Sequence, residues 1–167
     1  MGYHEHKHLS PESISCAVVI VSDSRTQEND ESGKFIMQAL KDNGHKVLSY
    51  LILKNDADSI YQTIDELLYE DGMQVIIISG GTGMSHRDVT IETLLPILDK
   101  KMDGFGELFR HLSYSEIKTG SIMSRATAGV SQGRVIICLP GSLGAVTLAM
   151  QQIILPEIGH MVREATR

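Results

Sequence analysis

Apolar and polar positions fall in blocks along this chain, and the block lengths predict its elements. Cys16 to Val21 (CAVVIV) is an unbroken, mostly β-branched apolar run. Such a run is a strand buried on both faces, as in a parallel sheet. The polar loop Ser22-Asp23-Ser24-Arg25-Thr26 follows it. Residues 32–43 predict a helix with Phe35, Ile36, Ala39 and Leu40 inward and Gly44 as its stop. Lys46 to Leu53 reads as a second strand, and Asn55-Asp56-Ala57-Asp58 opens the next helix. There Ile60, Ile64, Leu67 and Leu68 fall at i, i+4, i+7 and i+8, one helical stripe that Asp71-Gly72 ends. Val75 to Ile78 is a third strand, and Thr90 can cap a helix through about Leu98. Gly104 to Ser115 predicts a helix, and Thr119 to Val130 short strands or a hairpin inserted beside the main sheet. Val135 to Leu139 (VIICL) is another buried strand, which Pro140-Gly141-Ser142 turns into a last helix. Its stripe is Val146, Ala149, Met150, Ile153 and Ile154, and Pro156 bends or restarts it.

The β-α-β-α-β-α order predicts one α/β domain over residues 14–167: a three-layer α/β/α sandwich around a mostly parallel sheet, plus a small inserted hairpin. Residues 1–13 form a polar N-terminal arm. In folds of this kind ligands sit at the carboxyl ends of the strands. Four loops gather there, after Val21, Leu53, Ile78 and Leu139.

Composition narrows the ligand. The net charge is −6, from 15 basic and 21 acidic residues, which argues against non-specific nucleic-acid binding. An anionic ligand therefore needs a local site. Cys16 and Cys138 each lie inside an apolar run, as small buried hydrophobes of a reduced protein rather than disulfide or metal partners. No run is long enough for a transmembrane helix and the polar N-terminus does not read as a signal peptide, so a cytoplasmic protein without a membrane partner is expected. His4, His6 and His8 alternate and would share one face of an extended arm, but no acidic or Cys partner follows at a fixed spacing. A mobile or subunit-contacting arm is the expectation.

The candidate chemistry centres on Ile76-Ile77-Ile78-Ser79-Gly80-Gly81-Thr82-Gly83-Met84-Ser85-His86-Arg87-Asp88-Val89-Thr90. A buried strand empties into a loop with little side-chain bulk, where backbone N–H groups can close around a phosphate. No Lys-Ser/Thr pair closes a P-loop, and His86 stands where a dinucleotide fingerprint needs its third glycine. Asp88 is either a helix cap or a group that holds Mg²⁺ beside phosphate; a carboxylate next to phosphate is repulsive unless a cation bridges them. Asp56 and Asp58 are caps of their helix, or supply a second carboxylate for that metal. Pro140-Gly141-Ser142 sets a glycine and a hydroxyl at a helix start, an anion site by construction. Ser22-Asp23 is either part of the same site or a polar turn.

These stretches together resemble the MoaB/MogA family, the molybdopterin-binding and adenylyltransferase domain of molybdenum cofactor biosynthesis. The resemblance runs from about Ile14 onward. Ser22-Asp23-Ser24-Arg25 with Asp30-Glu31-Ser32-Gly33 resembles the family's first loop, Gly80-Gly81-Thr82-Gly83 with Arg87-Asp88-Val89-Thr90 its central motif, and Pro140-Gly141-Ser142 its final loop. Gly104-Phe105-Gly106-Glu107-Leu108-Phe109-Arg110, with Leu112-Ser113, Glu116-Ile117, Ser124-Arg125-Ala126 and Ala128-Gly129-Val130, is similar to the MoaB branch.

The resemblance implies that the terminal phosphate of molybdopterin attacks the α-phosphorus of ATP, the co-substrate, with Mg²⁺ as cofactor, giving adenylylated molybdopterin and pyrophosphate. It implies that Asp88, with Asn55 and Asp56, serves the reaction, and that Asp88 and Asp56 hold the metal. Gly80, Gly81, Thr82 and Gly83 would hold phosphate, and Ser22, Asp23, Arg87, Thr90, Ser124, Arg125, Pro140, Gly141 and Ser142 would contact nucleotide or pterin. Glu107 would face the pterin. Homotrimers or homohexamers, and a downstream metal-insertion enzyme as partner, are implied as well. A non-catalytic molybdopterin carrier is the alternative.

Two positions depart from the family pattern. Lys54-Asn55-Asp56 stands where the adenylyltransferase branch has Pro-Asp-Asp or similar, so the first acid is an amide that keeps an oxygen ligand and loses a charge. Ile91 follows Thr90 where Pro is usual, which should affect helix-start preorganisation and little else.

Overall fold

The computed structural model describes residues 10–167, so His4, His6 and His8 lie outside the described residues. Strand β1 (Ser15–Val21) starts the sheet. Helix α1 (Glu31–Asp42), β2 (Lys46–Leu53), α2 (Ala57–Tyr69) and β3 (Val75–Ser79) follow. Then come a short α3 (Thr90–Leu94), a two-residue β4 (Lys100–Lys101) and α4 (Asp103–Ile117). The chain closes with β5 (Thr127–Ser131), β6 (Arg134–Leu139), α5 (Leu143–Ala149) and α6 (Leu155–Ala165). The six strands form one sheet in the order β2-β1-β3-β6-β5-β4. Strands β2, β1, β3 and β6 pair parallel, whereas β5 runs antiparallel to both its neighbours.

The apolar runs of β1, β3 and β6 are buried on both faces because helices cover both faces. Cys16, Val18 and Ile20 of β1 join Val75 and Ile77 of β3 in a core with Ile36 and Leu40 of α1, Phe105 and Phe109 of α4 and Ile158 and Val162 of α6. The alternate residues Ala17, Val19, Val21, Ile76 and Ile78 point the other way, onto Ile60, Ile64, Leu67 and Leu68 of α2 and Ile91 and Leu94 of α3. The period-two alternation of a strand thus sorts one continuous apolar run into two cores. Cys16 and Cys138 are free and buried, and burial pushes the Cys16 thiol up to about 12, so both are packing residues.

Three expectations need correction. Thr90 does not cap its helix: Val89 holds the cap position, and Thr90 is the first helical residue with its side chain fully buried. That helix also stops at Leu94, passing into a single 3₁₀ turn over Leu95–Ile97, because Pro96 has no N–H to continue it. Residues 118–123 form a 3₁₀ segment rather than a strand, entered through Lys118 at φ 53. The expected hairpin is present as β5 and β6, and β5 with β4 extends the parallel strands to the sheet's far edge. Gln132 (φ 50) and Gly133 (φ 75) both take left-handed conformations, the turn that matches strand twist and folds β5 back onto β6.

Pro156 restarts the last helix. A π turn over Met150–Ile154, closed by the Leu155 N–H on the Met150 carbonyl, widens the coil just before the ring, and α6 begins with Pro156 in its first turn.

From β1 the chain crosses to β2 on one side, and β3 lies on the other side of β1. The sheet therefore has its topological switch between β1 and β3, where the loops after those strands splay apart and leave a crevice.

Candidate functional site

That crevice is a cleft of about 540 Å³ at the carboxyl ends of the strands. Ser22 and Asp23 after β1, Asn55 after β2, Ser79 to Gly83 and Asp88 after β3, and Pro140 and Gly141 after β6 line it. The 3₁₀ segment closes one side with Gly120, Met123, Ser124 and Arg125. The four loops expected to meet do meet.

The glycine loop turns on two left-handed residues, Gly80 at φ +107 and Gly81 at φ +65. The Gly80 N–H donates to the Leu139 carbonyl at 3.0 Å, and its Cα lies against the Val21 carbonyl, with no room for a side chain. Beyond that tie, the N–H groups of Gly81, Thr82, Gly83 and Met84 donate to nothing among the described residues. Four successive free donors beside a cleft make a site suited to anions.

The other walls are held by local capping bonds. Ser22 Oγ accepts from the N–H groups of Ser24 and Arg25 at 3.3 and 3.2 Å, which curls the loop after β1. Asp23 accepts from the Asn55 N–H at 3.0 Å and ties that loop to the end of β2. The Asn55 side-chain oxygen is buried without a partner, as is Thr90 Oγ1, and both lie against the Cα of Gly81. The Asp88 carboxylate lies against Gly83, where a Cβ would stand 2.6 Å from its oxygen, and it accepts no hydrogen bond among the described residues.

Some expected residues face elsewhere. Asp56 caps α2, accepting from the Ser59 amide and hydroxyl at 2.9 and 2.6 Å, and those bonds hold its carboxyl below the usual carboxylate range. Arg87 is exposed and does not line the cleft. Thr90 is buried behind the glycine loop, its N–H donating to the Gly81 carbonyl at 3.0 Å. Ser142 caps α5 through the Ala145 N–H at 3.3 Å and borders a separate hollow with Ser124. Glu107 lines a neighbouring hollow of about 390 Å³ with Lys101, Arg110, Thr127 and Arg125, so Arg125 stands between the two cavities.

Asp30, Ser79 and Arg25 fall within the motif stretches but carry no individual role there, and they line the cleft, as do Gly120 and Met123. Asp30 is fully buried: it caps α1 through the Gly33 N–H at 3.0 Å and takes the Tyr50 hydroxyl at 2.6 Å. Its signal was present in the sequence, an acidic cap just before the predicted helix. Ser79 Oγ donates to the Pro140 carbonyl at 3.2 Å and bridges the loops after β3 and β6. Gly120 and Met123 belong to the segment read as strand, and no local pattern marks them.

Among the described residues no group of three or more His, Cys, Asp or Glu side chains could hold a metal ion by itself. An ion here would need ligand oxygens from a bound phosphate. No described helix is long and apolar enough to cross a membrane.

Comparison with known proteins agrees with this architecture. A family model described as a probable molybdopterin binding domain matches residues 17–160. The chain is 45% identical to molybdenum cofactor biosynthesis protein B of Bacillus cereus over 168 aligned residues, covering 100% of this chain and 99% of the relative. A crystal structure of a molybdenum cofactor biosynthesis protein B superposes with a TM-score of 0.90 at 45% identity, over 93% of this chain and 98% of the other. The tungsten cofactor synthesizing protein MoaB from Pyrococcus furiosus superposes with a TM-score of 0.85 at 33% identity, over 95% and 100% of the two chains. The chain belongs to the MoaB family of molybdenum cofactor biosynthesis proteins.

Proposed function

We propose that the protein binds molybdopterin and ATP in this cleft and transfers an adenylate from ATP to the terminal phosphate of molybdopterin, releasing pyrophosphate. The observation that carries this reading is the row of unbonded N–H groups from Gly81 to Gly83, continued by Met84 beside it, in the same cleft as Asp88. Phosphoryl chemistry of this type needs little beyond positioning and charge neutralisation, because the attacking phosphate is already ionised. The pterin phosphate forms the new bond to the α-phosphorus while the bond to the departing pyrophosphate breaks.

The donor set fits Mg²⁺. The orphaned Asn55 oxygen and the Asp88 carboxylate border one cleft, and Mg²⁺ is held at such sites by one or two protein oxygens plus phosphates and water. Asp88 and Asn55 would hold the ion, and it would neutralise the phosphates beside the Asp88 carboxylate. Asp56, expected in this role, is instead engaged in capping α2. The glycine-loop N–H groups would bind phosphate oxygens, while Ser22 and Asp23 shape the opposite wall. Pyrophosphate release from ATP that requires both Mg²⁺ and molybdopterin is the test. Release at the same rate without molybdopterin would refute the assigned substrate pair.

One observation favours a second reading, a molybdopterin carrier without turnover: the amide of Asn55 stands where the adenylyltransferase branch has an acid. Asn55→Asp restores the charge. It is expected to lower the Mg²⁺ concentration for half-maximal nucleotide binding by about tenfold, as one added carboxylate ligand should. Titration of nucleotide binding against Mg²⁺ reads this out, and an unchanged Mg²⁺ dependence removes residue 55 from the ion's surroundings. The trimer or hexamer implied by the family is a further part of this proposal, read by light scattering.

A further inference from the structure

Arg125 was expected among the ligand-binding residues, yet its guanidinium is already engaged. Its Nε donates to the Thr82 carbonyl at 2.8 Å and its Nη2 to the Gly83 carbonyl at 2.9 Å. Its two terminal nitrogens grip Glu92 of α3, Nη1 at 2.5 Å and Nη2 at 3.2 Å. These bonds hold the Glu92 carboxyl below the usual carboxylate range. Asp88 is the other carboxylate whose charge acts on Arg125.

The bonds reach the loop from a particular side. In a trans peptide the C=O and the following N–H point in opposite directions. Holding the carbonyls of Thr82 and Gly83 therefore fixes the N–H groups of Gly83 and Met84 on the side away from the guanidinium. Those are two of the four donors that find no partner within the described chain. A fork of planar N–H donors can grip two adjacent carbonyls and a carboxylate at once, which a point-like ammonium cannot.

We infer that Arg125, fixed by Glu92, is a positioning residue that aims the glycine-loop N–H groups at the anionic ligand and does not itself bind that ligand. The inference rests on reading the cleft as an anion site. It places a determinant of ligand affinity on α3 and on the segment before β5, outside the loop that makes the contacts.

Glu92→Gln separates this role from direct binding by the sign of its effect. A guanidinium that bound the ligand itself would be freed by loss of the Glu92 charge, and affinity would rise. A clamp would slacken, and affinity would fall. The probe is inorganic pyrophosphate with Mg²⁺, titrated by calorimetry into the full chain, with ¹⁵N shifts of the Gly83 and Met84 amides and thermal melts in parallel.

The expected result is a Kd raised a few-fold in Glu92→Gln and by about tenfold or more in Arg125→Ala, as for loss of charge-assisted bonds that order the donors. Arg125→Lys should recover part of the affinity, since one ammonium can still reach a carbonyl. Pyrophosphate should shift the Gly83 and Met84 amides in the parent and less in both Arg125→Ala and Glu92→Gln, while the folding transitions stay cooperative. Tighter binding in Glu92→Gln overturns the inference, as does unchanged binding in Arg125→Ala. Failure of the parent protein to bind pyrophosphate overturns it too. Because the readout is binding, absence of turnover in the parent would sink the adenylyl transfer reading and leave this one standing.

Discussion

Gly80→Ala is expected to destabilise the protein by roughly 3 kcal/mol or more, near the top of the range for single substitutions. Two penalties coincide at that position. The residue sits at φ +107, a conformation that an L side chain rarely adopts. An added Cβ would also run into the Val21 carbonyl oxygen, which belongs to the backbone and cannot rotate aside. Relief by movement is limited on the other side, where the Gly80 N–H is bonded to the Leu139 carbonyl at 3.0 Å. The ends of β1, β3 and β6 meet around this one atom, so the strain spreads into the parallel core. Urea unfolding measures the change. A variant within about 0.5 kcal/mol of the parent, the usual range for an unremarkable surface position, would show that the loop is not held against β1 as described.

Asp88→Ala is expected to do the reverse, abolishing chemistry and sparing the fold. The carboxylate accepts no hydrogen bond among the described residues and lies on a polar loop, so its loss should change stability by no more than about 0.5 kcal/mol. Turnover should fall by about 100-fold or more, the scale for removing one preorganised electrostatic group at a phosphoryl centre. The two quantities are measured together, as initial rates of pyrophosphate release and as urea midpoints. Unimpaired turnover would remove Asp88 from the chemistry. A large loss of stability would instead assign it a structural role through Gly83.

The central sheet was legible in the sequence because β1, β3 and β6 are continuous apolar runs, and only a strand covered on both faces needs that pattern. The cleft was legible for the same reason: parallel strands deliver their carboxyl ends to one edge, and the loops at those ends carry Ser22, Asp23, Gly80 and Gly141 in plain view. What the pattern could not show was how long-range contacts divide the polar residues between binding and support. Asp56 and Ser142 occupy cap positions beside the cleft, and a cap and a ligand have the same local signature. Arg125 lies 43 residues from the carbonyl of Thr82 that it holds, a pairing that no local period encodes. The segment from Lys118 to Met123 misled for a related reason: its spacing of small and apolar residues suits a 3₁₀ turn or a strand equally well.

The most direct measurement is the mass of molybdopterin recovered after incubation with the protein, ATP and Mg²⁺. The account predicts a pterin heavier by one adenylate, formed together with one pyrophosphate and missing when Asp88→Ala replaces the parent. Molybdopterin that stays bound to the protein but returns with its mass unchanged would contradict adenylyl transfer and leave a carrier.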